Sequence, residues 1–78
     1  MVLATMTTYY PDPNVEPYVG QFVMRRDSRD VYQITQLPDG SESHQHYAIT
    51  GISDAVLNRK LRISVKAMWR DFEAVRAE

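Results

Sequence analysis

Apolar and polar residues alternate with period two along most of this chain, as in strands with one buried face and one wet face. Gln21, Phe22, Val23, Met24 and Arg25 form the first such run, entered through Gly20 and followed by a polar turn at 26–30. The second run, 31–37, is rich in β-branched and aromatic residues and puts Tyr32 and Ile34 on one face. Pro38, Asp39, Gly40 and Ser41 then mark a tight turn, because proline presets one dihedral and glycine accepts a positive φ. A third run, 45–50, sets Gln45, Tyr47 and Ile49 against His44, His46 and Ala48. Short connections make these a three-stranded meander, with Tyr32 and Tyr47 as a cross-strand pair.

Residues 51–58 allow two readings. Ser53 and Asp54 cap a single helical turn through Ala55, Val56 and Leu57, or the stretch is an irregular crossing loop. Alternation returns over 59–65, where Leu61, Ile63 and Val65 are expected inside and Lys60, Arg62 and Ser64 outside. The period then changes: Val65, Met68, Trp69, Phe72 and Val75 recur at helical spacing, with Ser64 placed to cap the start. A helical turn or short helix packed across the open end of the sheet is the expectation. A single turn followed by a short strand at 72–75 is the other option. Ahead of all this, Pro11, Pro13 and Pro17 make residues 1–17 an extended arm outside the regular strands, joined to one small domain over 18–78.

The pattern predicts a mainly β fold, a small and strongly bent antiparallel sheet with a short C-terminal helix. The alternative is an α+β fold in which a true C-terminal helix backs three or four strands. The layout resembles the SH3-like barrels, a group that includes the Tudor and KOW domains. Three stretches carry the resemblance: Tyr18-Val19-Gly20-Gln21-Phe22-Val23, then Val31-Tyr32-Gln33-Ile34, then Arg62-Ile63-Ser64 leading into Met68, Trp69 and Phe72. The glycine that KOW domains carry between their first two strands is missing, since Asp27, Ser28 and Arg29 stand there. The resemblance spans residues 18–76 and implies a barrel-like binding module without catalysis; it names no ligand.

Composition narrows the function classes. The chain has 78 residues, enough for one domain. Its formal charge of −1 supplies no global attraction to nucleic acid or membrane, and 44% hydrophobic content is that of a folding chain. No cysteine is present, so thiol catalysis and disulfides are excluded and a reducing, cytoplasmic setting is expected. Residues 1–6 lack the basic start and length of a signal peptide, and Met6 serves as well as Met1 for a start. No membrane span is expected.

Three groups of residues are candidates for chemistry. Tyr9, Tyr10 and Tyr18 lie beside prolines, and tyrosine is enriched at protein interfaces, so they are the candidate partner-binding residues. Arg25, Arg26 and Arg29 at the first hairpin, with Arg59, Lys60 and Arg62 on the fourth strand, merge into a basic face if the two lie together. Such a face binds phosphates by counterion release. Glu42, His44 and His46 share one strand face and form a weaker alternative, a Zn²⁺ or Ni²⁺ site. With no fourth ligand in view, solvent-facing hairpin residues are the simpler reading. No nucleophile elbow, phosphate loop or zinc-protease motif is present, and the short chain leaves little depth for a substrate pocket.

The sequence thus predicts a non-enzymatic protein-interaction module without a cofactor, of the kind phages or plasmids encode as accessory or inhibitor proteins. A nucleic-acid-binding module and a homo-oligomeric structural protein are the alternatives.

Overall fold

Each predicted alternating run is a strand in the computed structural model, which describes residues 8–14, 16–40 and 45–77. The strands among these residues are β1 (Tyr9–Pro11), β2 (Phe22–Arg25), β3 (Val31–Gln36), β4 (His46–Gly51), β5 (Lys60–Ser64) and β6 (Phe72–Ala77). A 3₁₀ turn, Asp54–Val56, precedes β5, and helix α1, Val65–Asp71, precedes β6. All strands pair antiparallel in one sheet of order β1-β6-β2-β3-β4-β5. The fold is therefore mainly β with a short helix. The sheet stays open, with β1 and β5 as its edges, and does not close into a barrel.

The meander β2 to β5 follows from the turn chemistry. Arg25 and Asp30 close the first hairpin through a 2.8 Å hydrogen bond from the Arg25 amide, and Arg29 takes the left-handed conformation at φ 60°. Between β4 and β5 the chain must pass very close to itself. A Cβ on Gly51 would lie 1.9 Å from the carbonyl oxygen of Val56, so only glycine lets the 3₁₀ turn pack onto the end of β4. Ser53 does not cap that turn with its side chain. Its hydroxyl accepts from the amide of Val31 at 2.9 Å, tying the turn to the start of β3.

The pleat sorts the side chains. Val23, Tyr32, Ile34, Tyr47, Ile49, Val56, Met68 and Phe72 form the main core, with Leu37, Leu61, Ile63 and Trp69 packed against it. Each fully buried aliphatic side chain here contributes on the order of 1.5–3 kcal/mol. The expected Tyr32–Tyr47 pair does not form, because Tyr32 lies opposite Gly51 and Tyr47 opposite Ile63. Each ring meets an aromatic from the C-terminal segment edge to face instead: Tyr32 with Phe72 at 5.6 Å and Tyr47 with Trp69 at 5.7 Å.

Two more expectations are corrected at the C-terminal end. Leu61 and Ile63 pack against the core as expected, but Val65 is exposed, since it opens α1 instead of extending β5. The Ser64 hydroxyl caps the helix by accepting from the Ala67 amide at 3.2 Å. Helical spacing then stops at Phe72, whose backbone is extended at φ −124° and ψ 156°. Beyond it the chain pairs with β2 on one side and β1 on the other, two ladders that a continued helix would forgo. Phe72 pairs with Arg25 and faces the core, whereas Val75 pairs with Phe22 and falls on the opposite face. There Val75 is buried, and Phe22 meets Tyr9 edge to face at 5.8 Å.

Tyr9–Pro11 is correspondingly a paired strand, not a stretch outside the regular strands. Proline is tolerated in β1 because an edge strand leaves donors on its outer side unused. Among the described residues no helix is long and apolar enough to cross a membrane.

Candidate functional site

The segment from β1 to β2 is held by polar contacts. The Asp12 amide donates to the Ala74 carbonyl at 3.0 Å, fixing where the chain leaves the sheet. Asp12 Oδ1 accepts from the Asn14 amide at 2.9 Å, and Asn14 Oδ1 accepts from the Glu16 amide at 3.1 Å. These are two consecutive Asx turns, in which a side chain replaces a backbone acceptor. Asp12 Oδ2 accepts from the Tyr18 hydroxyl at 3.0 Å and from Gln21 Nε2 at 3.2 Å. One carboxylate thus ties together residues 12, 14, 18 and 21.

Its titration reflects that position. The Asn14 amide first, then the Gln21 and Tyr18 donors and the nearby charge of Arg76, hold the Asp12 carboxyl below its ordinary value of 3.8, against an opposing effect of desolvation. The same contact raises the Tyr18 hydroxyl above its ordinary 10.0, because the hydroxyl must keep its proton to donate to the Asp12 carboxylate. At the other end of the segment, the Gly20 amide donates to the Ile34 carbonyl at 2.8 Å and Gln33 Nε2 donates to the Gly20 carbonyl at 3.2 Å.

This segment and the C-terminal elements enclose a cleft of about 400 Å³. Pro11 and Pro17 form one side, Trp69 of α1 and Ala74 of β6 the other, with Asp12, Asn14 and Glu73 as polar lining and Gln21 within it. Its volume falls within the range of small ligand sites, more than the chain length led one to expect. Gln21 is 1% exposed, and its Oε1 has no hydrogen-bond partner. A buried acceptor left unpaired costs about 1–3 kcal/mol. Rotating the amide would turn that oxygen toward the Asp12 carboxylate, so the side chain is fixed with an unused acceptor.

The predicted partner-binding tyrosines separate. Tyr18 is exposed and bonded to Asp12, Tyr10 is exposed on β1, and Tyr9 is half-buried against Phe22. The basic residues form two patches. Arg25, Arg26 and Arg29 line a cleft with Met24 and Glu73, and Arg25 pairs with Asp27 at 2.9 Å. Lys60 and Arg62 line a cleft of about 430 Å³ with Thr35, Ala48 and Thr50, and Arg59 is exposed just before them. Strands β3 and β4 lie between β2 and β5, a separation of about 14 Å at the usual strand spacing. Of the weaker metal alternative, Glu42 and His44 lie outside the described residues, and His46 is exposed on β4.

Sequence reasoning missed Asp12, Gln21 and Glu73. Asp12-Pro13-Asn14 carried a usable signal, since Asp and Asn beside proline favour Asx turns. Gln21 carried a fainter one, as it shares the inward parity of Val23. No family model matches the chain, no curated protein matches it, and no solved structure matches it.

Proposed function

We propose that this chain is a small non-enzymatic protein-interaction module that acts in the cytoplasm by docking a segment of another protein in the cleft between the 12–21 segment and α1. The observation that carries the reading is the cleft of about 400 Å³ in which the apolar residues Pro11, Pro17, Trp69 and Ala74 meet the polar residues Asp12 and Asn14. A mostly apolar lining with a few polar groups is what a recognition site requires. Tyr18 at the edge of this segment adds a residue type enriched in interface hot spots. The return of β6 to β2 after the four-strand meander supports the SH3-like resemblance, and with it a binding role. The absence of cysteine from the sequence fits a reducing compartment.

The nucleic-acid reading draws on Lys60 and Arg62, both exposed on an edge strand. One experiment separates the two. Wild-type chain, the cleft double variant Asn14→Ala/Tyr18→Ala and the charge reversal Lys60→Glu/Arg62→Glu are each used to capture partners from the native host. Loss of a protein partner only in the cleft variant is the expected result. Retention there, with loss of nucleic acid in the charge reversal, would replace the first reading with the second. Removing residues 1–17 is a poorer test, since it also deletes β1.

A further inference from the structure

We infer that the open edge of β5 is a second docking surface, which receives an extended segment of another protein with acidic and apolar residues in alternation. β5 is the edge opposite β1 and shares no residue with the cleft described above. Its backbone phase is fixed where the strand begins. The Gly51 amide donates to the Arg59 carbonyl at 2.7 Å and the Asn58 amide to the Gly51 carbonyl at 2.9 Å, with Asn58 left-handed at φ 63°. In an antiparallel pair, residues alternate between exchanging bonds with the partner strand and facing away from it. Arg59 bonds to β4, so Leu61 and Ile63 do the same opposite Ile49 and Tyr47. Lys60 and Arg62 therefore aim their amides and carbonyls at the open edge.

The side chains along this edge select the occupant. Lys60 and Arg62 are exposed, share one face, and stand beside the small, uncharged Thr50 and Ala48. The ion pairs among the described residues, Arg25 with Asp27 and Arg70 with Asp71, involve neither. The sequence holds no acid from 55 to 70. A strand bonded to Lys60 and Arg62 brings its own side chains to about 5 Å from theirs, where carboxylates form opposite-charge pairs. Its intervening side chains fall on the other face, beside Leu61 and Ile63. Those two pack against the core yet stay half-buried, because no described strand lies beyond them. Apolar residues suit that row.

A second copy of the chain does not fit. Pairing β5 antiparallel with another β5 sets Lys60 opposite Arg62, and like charges directly opposite are destabilising. The other edge, β1, has three residues, one of them a proline without a donor. The charges that keep copies apart thus admit an acidic partner. Nucleic acid fits less well: its phosphates accept from donors and would leave the outward carbonyls unanswered. The arginines of the first hairpin lie beyond β3 and β4 and add nothing to this edge.

The intact protein is titrated with a capped Thr-Val-Glu-Val-Glu-Val-Thr peptide and followed by amide exchange. At saturation the Lys60 and Arg62 amides are expected to exchange at least about tenfold more slowly, while those of Leu61 and Ile63, already bonded to β4, change little. Replacing both glutamates by glutamine is expected to weaken binding about tenfold, the combined effect of two cross-strand charge pairs. N-methylation of both glutamate amides keeps the charge and removes the donors that meet the outward carbonyls, so it should abolish binding. Lys60→Gln/Arg62→Gln should lose the preference for glutamate over glutamine, with amide spectra that keep the Ile34 and Ile49 positions as the check on folding.

Equal affinity for the glutamate and glutamine peptides, binding that survives N-methylation, or no slowing at Lys60 and Arg62 overturns the inference. So does a single-stranded oligonucleotide that slows those amides where the peptide does not, or a dimer that slows them without peptide, since each names a different occupant. Asn14→Ala/Tyr18→Ala should bind the peptide as the wild type does, so failure of the cleft reading leaves this one standing.

Discussion

The main core and the cleft segment are two solutions to the same problem of fixing a chain. On the core face, Val23, Ile34, Ile49 and Met68 are shut from water and held by packing in all directions. In the 12–21 segment the corresponding task falls to one half-buried carboxylate with three donors. Burial is insensitive to pH and depends on volume, whereas the carboxylate latch depends on charge and barely on volume. The 12–21 segment can therefore change without touching what keeps the sheet folded. A rigid sheet carrying a separately held loop is a common arrangement for binding.

The strongest way to break this contrast is to damage the core. Ile34→Ala removes a side chain with 0% exposure and is expected to cost about 4 kcal/mol. Chemical denaturation measures it; a loss under about 1 kcal/mol would mean that the core is looser than its burial indicates. Gly51→Ala comes next, at about 3 kcal/mol, because the added methyl must push the Val56 carbonyl off the end of β4. It should also loosen the bonds from the residue 51 amide to the Arg59 carbonyl and from the Asn58 amide to the residue 51 carbonyl, read as faster exchange of the amides of residues 51 and 58. An unchanged midpoint would show that the 3₁₀ turn moves aside freely.

The core was far more legible in the sequence than the cleft, for the same physical reason. Period-two burial leaves its mark on every second residue, so Tyr32, Ile34, Tyr47, Ile49, Leu61 and Ile63 announced their side of the sheet. Where two patterns overlapped the reading stayed divided: 72 and 75 satisfy helical spacing, but they lie on the short strand that was the other option, each packing on a different face of β6. The Tyr32–Tyr47 pair failed because the register sets Tyr32 opposite Gly51, and alternation alone marks the face of a strand without fixing which residues stand opposite. The cleft depends on long-range placement, since Asp12 and Gln21 come to line one cleft with Trp69 only once β6 has returned beside β1 and β2. Prolines marked the segment as extended; they could not say that Tyr9–Pro11 would find a strand partner.

Between the two regimes stands the Ser64 cap. Replacing it with alanine removes the acceptor for the Ala67 amide and is expected to cost about 1 kcal/mol. The effect should appear in the global midpoint and also at Trp69, because α1 both covers the core and walls the cleft. If stability falls while Trp69 fluorescence is unchanged, helix and cleft are less coupled than the packing implies.

The smallest effect is the most diagnostic, because it should touch the cleft alone. Tyr18 has a raised pKa in the folded chain, so the stabilisation from its hydroxyl donating to Asp12 is complete below about pH 10 and is lost as pH rises through the raised value. Asp12 has a lowered pKa, so its contribution is complete above the ordinary value of 3.8 and is lost as pH falls through the lowered one. The latch is consequently intact across the whole neutral range and opens only at the two extremes. Amide shifts of Asn14 and Gly20 followed above pH 10 should show a step while those of Ile34 and Ile49 stay in place. Tyr18→Phe should abolish the alkaline step, and by removing one donor it should also move the acid step upward toward the ordinary carboxylate value. A step of the same size in Tyr18→Phe, or one shared equally by the core amides, would mean that the cleft segment and the core are a single cooperative unit and that the contrast drawn between them does not hold.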